Sequence, residues 1–387
     1  MTNLIKLSCK RKKILLYCVK LNSKGKSMRQ DYCVIMAGGI GSRFWPVSRS
    51  NMPKQFLDIM GIGRTLIQQT YDRVSKLIPT ENIYVVTNEE YRKIVRLQLP
   101  LIPNANILGE PMRRNTAPCI LYANIRIGLR NPYANIIVTP ADHLIVDEEE
   151  FLKNISEGLE FVNDNDSLLT FGITPDRPAT GYGYIQMNRD TDNSRFVPVK
   201  TFTEKPHLEL AKFFLSSGDF LWNSGIFLWR HGVIDKEIHE YLPEMYNLFM
   251  ENKAVFGTKD EKSVINRIYS DAKSISIDFG VMEKAQNVCV LKTDFGWSDL
   301  GTWNSLYSLH EKNLDNNVVL GNKVLTSKSF NNYVNISDSE KVLIINGIED
   351  LIVVDTDKAL LICKRENEQQ ISDLLNEAKL KFGDGIK

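Results

Sequence analysis

Across 387 residues the chain is 43% hydrophobic and 25% charged, an ordinary balance for a globular protein with room for a sizeable core and two domains. Its formal charge of +1 combines eight Lys/Arg and no Asp/Glu in residues 1–27 with −7 for everything after, which argues against nucleic acid as the partner of the main body. Six cysteines, at 9, 18, 33, 119, 289 and 363, include no C-x-x-C pair, so they read as reduced thiols of a cytoplasmic protein and not as a disulfide or zinc framework.

The leader MTNLIKLSCKRKKILLYCVKLNSKGKS is basic, and its apolar run from Ile14 to Val19 spans six residues. That is shorter than a signal-peptide core, and no small-residue cleavage site follows. No stretch is long enough to cross a membrane as a helix. Residues 1–27 are therefore expected to be a disordered leader, with Met28 as an alternative start and a basic membrane- or nucleic-acid-binding arm as the rival reading.

The first confident strand is Tyr32–Met36, short, apolar and partly β-branched, ending at Ala37-Gly38-Gly39. Ile67, Tyr71, Val74 and Ile78 recur at helical spacing and predict an amphipathic helix closing near Pro79. A strand over Ile83–Thr87 and a helix through Tyr91, Ile94 and Val95 follow, the helix stopped before Pro100. A short strand at Asn106–Leu108 leads to a helix through Ile120, Ala123 and Ile127. Ile136–Thr139 is a fourth strand, Phe151 to Val162 a helix, and Leu168–Phe171 a fifth strand. Strands alternating with helices predict an α/β fold with a mostly parallel sheet, whose ligands lie at the carboxyl ends of the strands. From about Asn316 short apolar runs alternate with polar turns, predicting an all-β unit closed by a helix from Glu366 to Phe382. The expected domains are 28–315, α/β, and 316–387, β with the terminal helix.

Three strand exits carry chemistry. At the first, Gly38, Gly39 and Gly41 lack a Cβ, so the backbone there is free to take positive φ and approach a ligand closely. Successive N–H groups in such a turn converge on an anion. Arg43 adds a fork that matches phosphate oxygens, and Lys54 adds a point charge. A P-loop is excluded, because no Gly-Lys-Ser/Thr triplet occurs. A dinucleotide fingerprint starting at Gly39 would need Gly or Ala where Phe44 stands. At the second exit, Glu110 to Pro118, Asn115 or Thr116 reads as the N-cap of the following helix. At the third, Asp142 follows Thr139-Pro140-Ala141; a lone Asp there is commonly a cap, but a triphosphate needs a hard cation held by one or two carboxylates. Gly181 to Tyr184 alternates Gly and Tyr, as in a hairpin with aromatic packing. Glu204 and Lys205 are adjacent, as in an ordinary solvated pair. Asn223 offers both donor and acceptor, and Gly225 allows close backbone approach. Two tryptophans and two glycines surround Asp299.

The pattern G-G-x-G-x-R, with Pro46 three residues on and Pro-Lys-Gln-Phe at 53–56, resembles the signature of the sugar-nucleotide pyrophosphorylases, and specifically the mannose-1-phosphate guanylyltransferase branch. Eight strings in the family's order cover about residues 30–365. The resemblance implies a Rossmann-like nucleotidyltransferase domain and a small C-terminal left-handed β-helix-like or β-roll domain, often used in dimer contacts. The hexapeptide repeat of such a coil is poorly marked, with one Leu-Gly pair at 320–321.

It further implies transfer of GMP from GTP to α-D-mannose 1-phosphate, giving GDP-mannose and pyrophosphate, with Mg²⁺ held by Asp142 and Asp299. Ala37, Gly38, Gly39, Gly41 and Ser42 would bind nucleotide, with Arg43 and Lys54 on the β- and γ-phosphates as catalytic cations beside Asp142. Glu110, Arg114, Asn115, Thr116 and Ala117 would select guanine. Gly181, Glu204, Lys205, Asn223 and Gly225 would take the sugar phosphate. No role is implied for Glu283 or Lys284 beyond a structural ion pair, and His143 is expected to support the site without ligating. A cytoplasmic homodimer is expected. Longer relatives add an isomerase domain, and from this chain's length no isomerase activity is expected. Two rival readings remain: the same chemistry with glucose 1-phosphate and dTTP or UTP, and a non-catalytic sugar-nucleotide-binding subunit.

Overall fold

The first apolar run of the described residues is buried on both sides. In β1 (Asp31–Ala37), Tyr32 and Val34 enter one core while Cys33 and Ile35 enter another, as the two-residue period of a strand between two helical layers requires. The computed structural model describes residues 30–188, 194–337 and 340–383, so the predicted leader lies outside the described residues. Next to β1 stand β2 (Ile83–Asn88), β3 (Ile107–Glu110) and β4 (Asn135–Pro140), each where an apolar run was read. They pair in parallel in the order β3-β2-β1-β4.

A two-residue strand β5 (Leu144–Ile145) precedes β6 (Leu168–Ile173), β7 (Tyr184–Met187), β8 (Phe196–Thr203), β9 (Phe220–Arg230), β10 (Val288–Thr293) and the short β11 (Trp297–Ser298), which pairs with β5. The main sheet continues β4-β9-β6-β10-β8-β7, mixing parallel β6–β10 with antiparallel neighbours. The start of β9 also pairs with β7, so five strands close into a circuit at this end.

Helices α1 (Leu66–Val74), α2 (Arg92–Gln98) and α4 (Glu148–Asp164) cover one face, and α3 (Thr116–Gly128) lies on the other. Helix α4 starts at Asp147, whose carboxylate accepts from the Glu150 amide, and three glutamates in its first turn complement the helix dipole. Beyond β8 come α5 (Leu208–Ser217), α6 (His231–Tyr241), α7 (Pro243–Met250) and α8 (Glu261–Asp271), then α9 (Trp303–Leu309).

The C-terminal unit is β throughout, as read. Strands β12 (Val318–Leu320), β14 (Tyr333–Ile336) and β16 (Leu351–Asp355) stack in parallel, a second parallel pair is β13 (Val324–Ser327) with β15 (Leu343–Asn346), and β17 (Leu360–Lys364) runs antiparallel to β16. Buried Asn317 and Asn332 tie successive coils: the Asn332 amide donates to Asn317 Oδ1 (2.9 Å, 15 residues apart) and Leu351 donates to Asn332 Oδ1 (2.9 Å, 19 residues apart). Coils of unequal length explain why no fixed hexapeptide period is legible. The closing helix α10 spans Ile371–Phe382, shorter than predicted. Residues 365–370 form a 3-10 helix leading into it, pinned where Glu368 accepts from the Asn304 amide and Arg365 stacks 3.6 Å from the Tyr307 ring.

Candidate active site

The glycine turn after β1 is held from behind. Gln55 donates through Nε2 to the carbonyls of Ala37 (3.0 Å) and Gly39 (2.9 Å), Thr87 donates to Ala37 O (2.8 Å), and Ser48 donates to Ile40 O (2.7 Å). With those carbonyls engaged, the turn's amides are left to meet an anion. Gln55, inside the Pro-Lys-Gln-Phe string, was not singled out from sequence, although it does much of the positioning. Of the three glycines only Gly41 takes a left-handed φ (64°), and a Cβ there would lie 2.7 Å from Lys54 Cβ. Gly38 matters for proximity instead, since its Cβ position is 3.4 Å from Glu110 Oε2. Ser42 shares a hydrogen bond with Ser372 of α10 (2.9 Å), and Phe44 packs on Trp303, so the C-terminal unit touches this loop. Arg43 is exposed on the loop, with no partner among the described residues.

Lys54 departs from the expectation. Its side chain is 4% exposed, and Nζ meets Asp142 Oδ2 at 2.8 Å, Asp299 O at 2.9 Å and Leu300 O at 3.0 Å. All three ammonium protons are taken by protein. In place of reaching the β- and γ-phosphates, the lysine joins the Asp142 exit to the Asp299 loop, 245 residues on in sequence. Burial pushes the Asp142 carboxyl up, but Lys54 and His143 outweigh it and hold the group below its ordinary range. Burial lowers the pKa of His143 despite both aspartates, and its Nδ1 accepts from Trp297 Nε1 (3.1 Å). His143 is thus a supporting residue. Asp299 Oδ1 accepts from Tyr182 (2.9 Å) and from the Gly301 amide (2.9 Å).

One lysine brings the Asp142 carboxylate to the Asp299 loop, and these two hard-oxygen side chains suit a divalent cation that shares phosphate oxygens. Among the described residues no three His, Cys, Asp or Glu side chains gather to enclose a metal by themselves.

Most of the residues expected to take the sugar phosphate also lie close together. Strand β9 bulges against β6 between Thr170 and Gly172, and Gly225 takes φ 70°, a conformation that favours glycine. Asn223 therefore turns into the site, where it donates to Asp278 Oδ1 (2.9 Å) and accepts from Thr170 (3.1 Å) and the Gly225 amide (3.2 Å). Lys205 lies at φ 45° with its ammonium on the Glu204 carboxylate. No protein atom lies within 4 Å of the Cβ position of Gly181; the crowded glycine is Gly183, whose Cβ would stand 2.4 Å from Glu204 Oε2. Asp278 was part of a quoted string without a role; burial, then the neighbouring Glu204 charge, push its carboxyl up to about 6. Glu283 accepts from the Glu204 amide (3.3 Å), so its bond supports a backbone turn and is not a pair with Lys284.

On the opposite flank Glu110 is buried beside the glycine turn. Burial pushes its carboxyl up to about 7, against a hydrogen bond from Tyr269 (2.9 Å). The rest of that segment is knitted to the last turn of α8 and the chain after it. Arg114 donates to the carbonyls of Tyr269 (2.8 Å) and Ser270 (3.0 Å), Thr116 accepts from the Ile277 amide (2.8 Å), and the Ala117 amide donates to Ile275 O (3.1 Å). Asn115, at φ 67°, accepts from the Thr116 amide as the predicted cap of α3. Their side chains build the wall, and Glu110 is the group turned toward the turn.

Residues 32–316 match the nucleotidyl transferase family model, and residues 329–377 match the mannose-phosphate isomerase/GMP-like beta-helix domain model. The chain is 37% identical over 359 residues to mannose-1-phosphate guanylyltransferase 2 of Escherichia coli O157:H7, covering 90% of this chain and 73% of that relative. It is likewise 37% identical over 361 residues to the mannose-1-phosphate guanylyltransferase of Salmonella montevideo, covering 90% and 74%. A solved structure from Thermus thermophilus, described as a mannose-1-phosphate geranyltransferase, superposes with a TM-score of 0.80 at 27% identity, covering 90% of this chain and 99% of that one. Signature turn, paired carboxylates and both matched domains agree: the chain belongs to the mannose-1-phosphate guanylyltransferase family of nucleotidyl transferases.

Proposed function

We propose that the protein joins GTP and α-D-mannose 1-phosphate into GDP-mannose and releases pyrophosphate. The observation that carries the site assignment is the Lys54 ammonium, which draws the Asp142 carboxylate and the Asp299 loop together at the foot of the glycine turn. An oxygen of the sugar phosphate attacks the α-phosphorus of GTP; that P–O bond forms as the bond from the α-phosphorus to the bridging oxygen breaks, and pyrophosphate leaves. No protein nucleophile takes part, so catalysis is positioning and charge stabilisation.

The amides of Gly39 and Gly41, with Arg43, hold the triphosphate. Lys54 keeps Asp142 ionised and fixes the separation of the two carboxylates. Asp142 and Asp299 would hold Mg²⁺, which would supply positive charge to phosphate oxygens that gather charge during transfer. Glu110 accepts from guanine, whose Watson–Crick edge offers donors, while Arg114, Asn115, Thr116 and Ala117 shape that wall. Glu204 and Asn223 bind sugar hydroxyls, Lys205 meets the sugar phosphate, and Gly181 and Gly225 allow the hexose close to the backbone.

The same reading takes the cytoplasm as the location and a homodimer as the assembly. Among the described residues no helix is long and apolar enough to cross a membrane. For the homodimer, the supporting observation is the cross-strand pair Leu325 and Ile344, 58% and 64% exposed on β13 and β15.

Pyrophosphate release with mannose 1-phosphate and Mg²⁺ tests the proposal, comparing GTP, ATP, UTP and dTTP. GTP-dependent release that needs the sugar phosphate is the expected result. Release with another nucleotide overturns the guanine assignment, and none with any nucleotide overturns the reaction.

A further inference from the structure

The hexose loop and the cation-side carboxylate meet at a residue that no motif assigned. Tyr182 stands between Gly181 and Gly183. Behind it, the Gly183 carbonyl accepts from the Asn223 amide (2.8 Å), and the Gly183 Cβ position abuts Glu204. Its ring is set edge-on against Trp222 (4.9 Å between centroids) and Trp297 (5.2 Å). Arg177 caps the stack, its guanidinium 4.9 Å from the Trp222 ring. A ring held by two tryptophans has little freedom to turn, so its hydroxyl is aimed. It is aimed at Asp299 Oδ1, to which it donates at 2.9 Å.

The rest of the Asp299 surroundings explain why one such bond counts. Oδ1 receives only one further protein donor among the described residues, the Gly301 amide. Gly301 presses from the other side, since a Cβ there would lie 2.4 Å from Oδ2. Trp297, which packs on Tyr182, also donates to His143 beside Asp142. One aromatic cluster thus reaches the Asp299 carboxylate and the residue that follows Asp142. Hydrogen-bond partners of this kind fix the orientation of a metal-binding carboxylate, and their loss typically costs 10–100-fold in affinity.

We propose that Tyr182 is a positioning residue for Asp299, which it orients toward the cation while anchoring the hexose loop. The inference rests on the reading of Asp299 as a cation ligand. It assigns the hydroxyl of the first tyrosine in the Gly-Tyr-Gly-Tyr string to the metal side of the site, although that string borders the sugar.

The test is Mn²⁺ affinity of the full-length protein saturated with GDP-mannose, read from the free-Mn²⁺ resonance in electron paramagnetic resonance. It is measured for the wild type, Tyr182→Phe, Asp299→Asn and the double variant. Phenylalanine keeps the ring and its packing. If the hydroxyl acts through Asp299, Tyr182→Phe weakens Mn²⁺ about 10-fold in the wild-type background and has no further effect beside Asp299→Asn. Unchanged Mn²⁺ affinity in Tyr182→Phe, with Asp299→Asn weakened, overturns the inference and leaves the cation reading standing. Equal losses in both backgrounds also overturn it, because the tyrosine then acts through packing. Should Asp299→Asn itself leave Mn²⁺ binding unchanged, the cation reading fails and takes this inference with it.

Discussion

Glu110→Gln should make the protein more stable and its nucleotide binding worse, with opposite dependences on pH. Glu110 is 7% exposed, and burial pushes its carboxyl from the ordinary 4.5 up to about 7. The unfolded chain releases this proton near pH 4.5, whereas the native protein keeps it to about pH 7. Between those values the native state holds the extra proton, so stability falls as pH rises through the window and stays low above it. At roughly 1.36 kcal/mol for each pH unit of displacement, the full loss is about 3 kcal/mol. Glutamine keeps the shape and has no proton to lose.

Urea unfolding of both proteins from about pH 4.5 to 8 reads the effect. The curves should lie close together at the acid end and diverge as pH rises, with the variant about 3 kcal/mol more stable at the alkaline end. GTP binding runs the other way: it should tighten for the wild type as Glu110 ionises near pH 7, and lose that step in the variant. Parallel stability curves across the range would refute the reasoning, since Glu110 would then ionise alike in both states.

Four further outcomes follow from the same geometry. Asp142→Asn should lower turnover roughly 10²–10³-fold at saturating Mg²⁺, the scale of losing one preorganised electrostatic contact, with steady-state pyrophosphate release as the assay. Lys54→Met strands a partly exposed carboxylate and two carbonyls, and should cost on the order of 1–3 kcal/mol in urea unfolding as well as turnover, because those acceptors lose their donor. Lys205→Ala should raise KM for the sugar phosphate more than KM for GTP; equal effects would place the lysine elsewhere. Gly225→Ala forces a side chain to φ 70° and should destabilise by about 1–2 kcal/mol while raising KM for the sugar phosphate, as Asn223 loses its bulge.

What the amino-acid sequence settled by itself were features written in neighbouring residues. Apolar runs closed by Gly or Pro located β1 to β4 and β6, because a strand buried on both faces and a turn are both local choices. The candidate ligands fell at the exits of those strands for the same reason, and the signature from Gly38 to Phe56 was specific enough to place the family. Tertiary structure decided the rest, because burial and distance between remote segments leave no local mark. Nothing near Lys54 in sequence tells that its ammonium faces Asp142 and the Asp299 loop. Nothing near Tyr182 tells that its hydroxyl meets Asp299. Gly183 is crowded only because Glu204 folds against it. The carboxyls of Asp278 and Glu110 are pushed up to about 6 and about 7 because the folded chain buries them, and Asp278 also has a second carboxylate beside it, which only the packed molecule supplies.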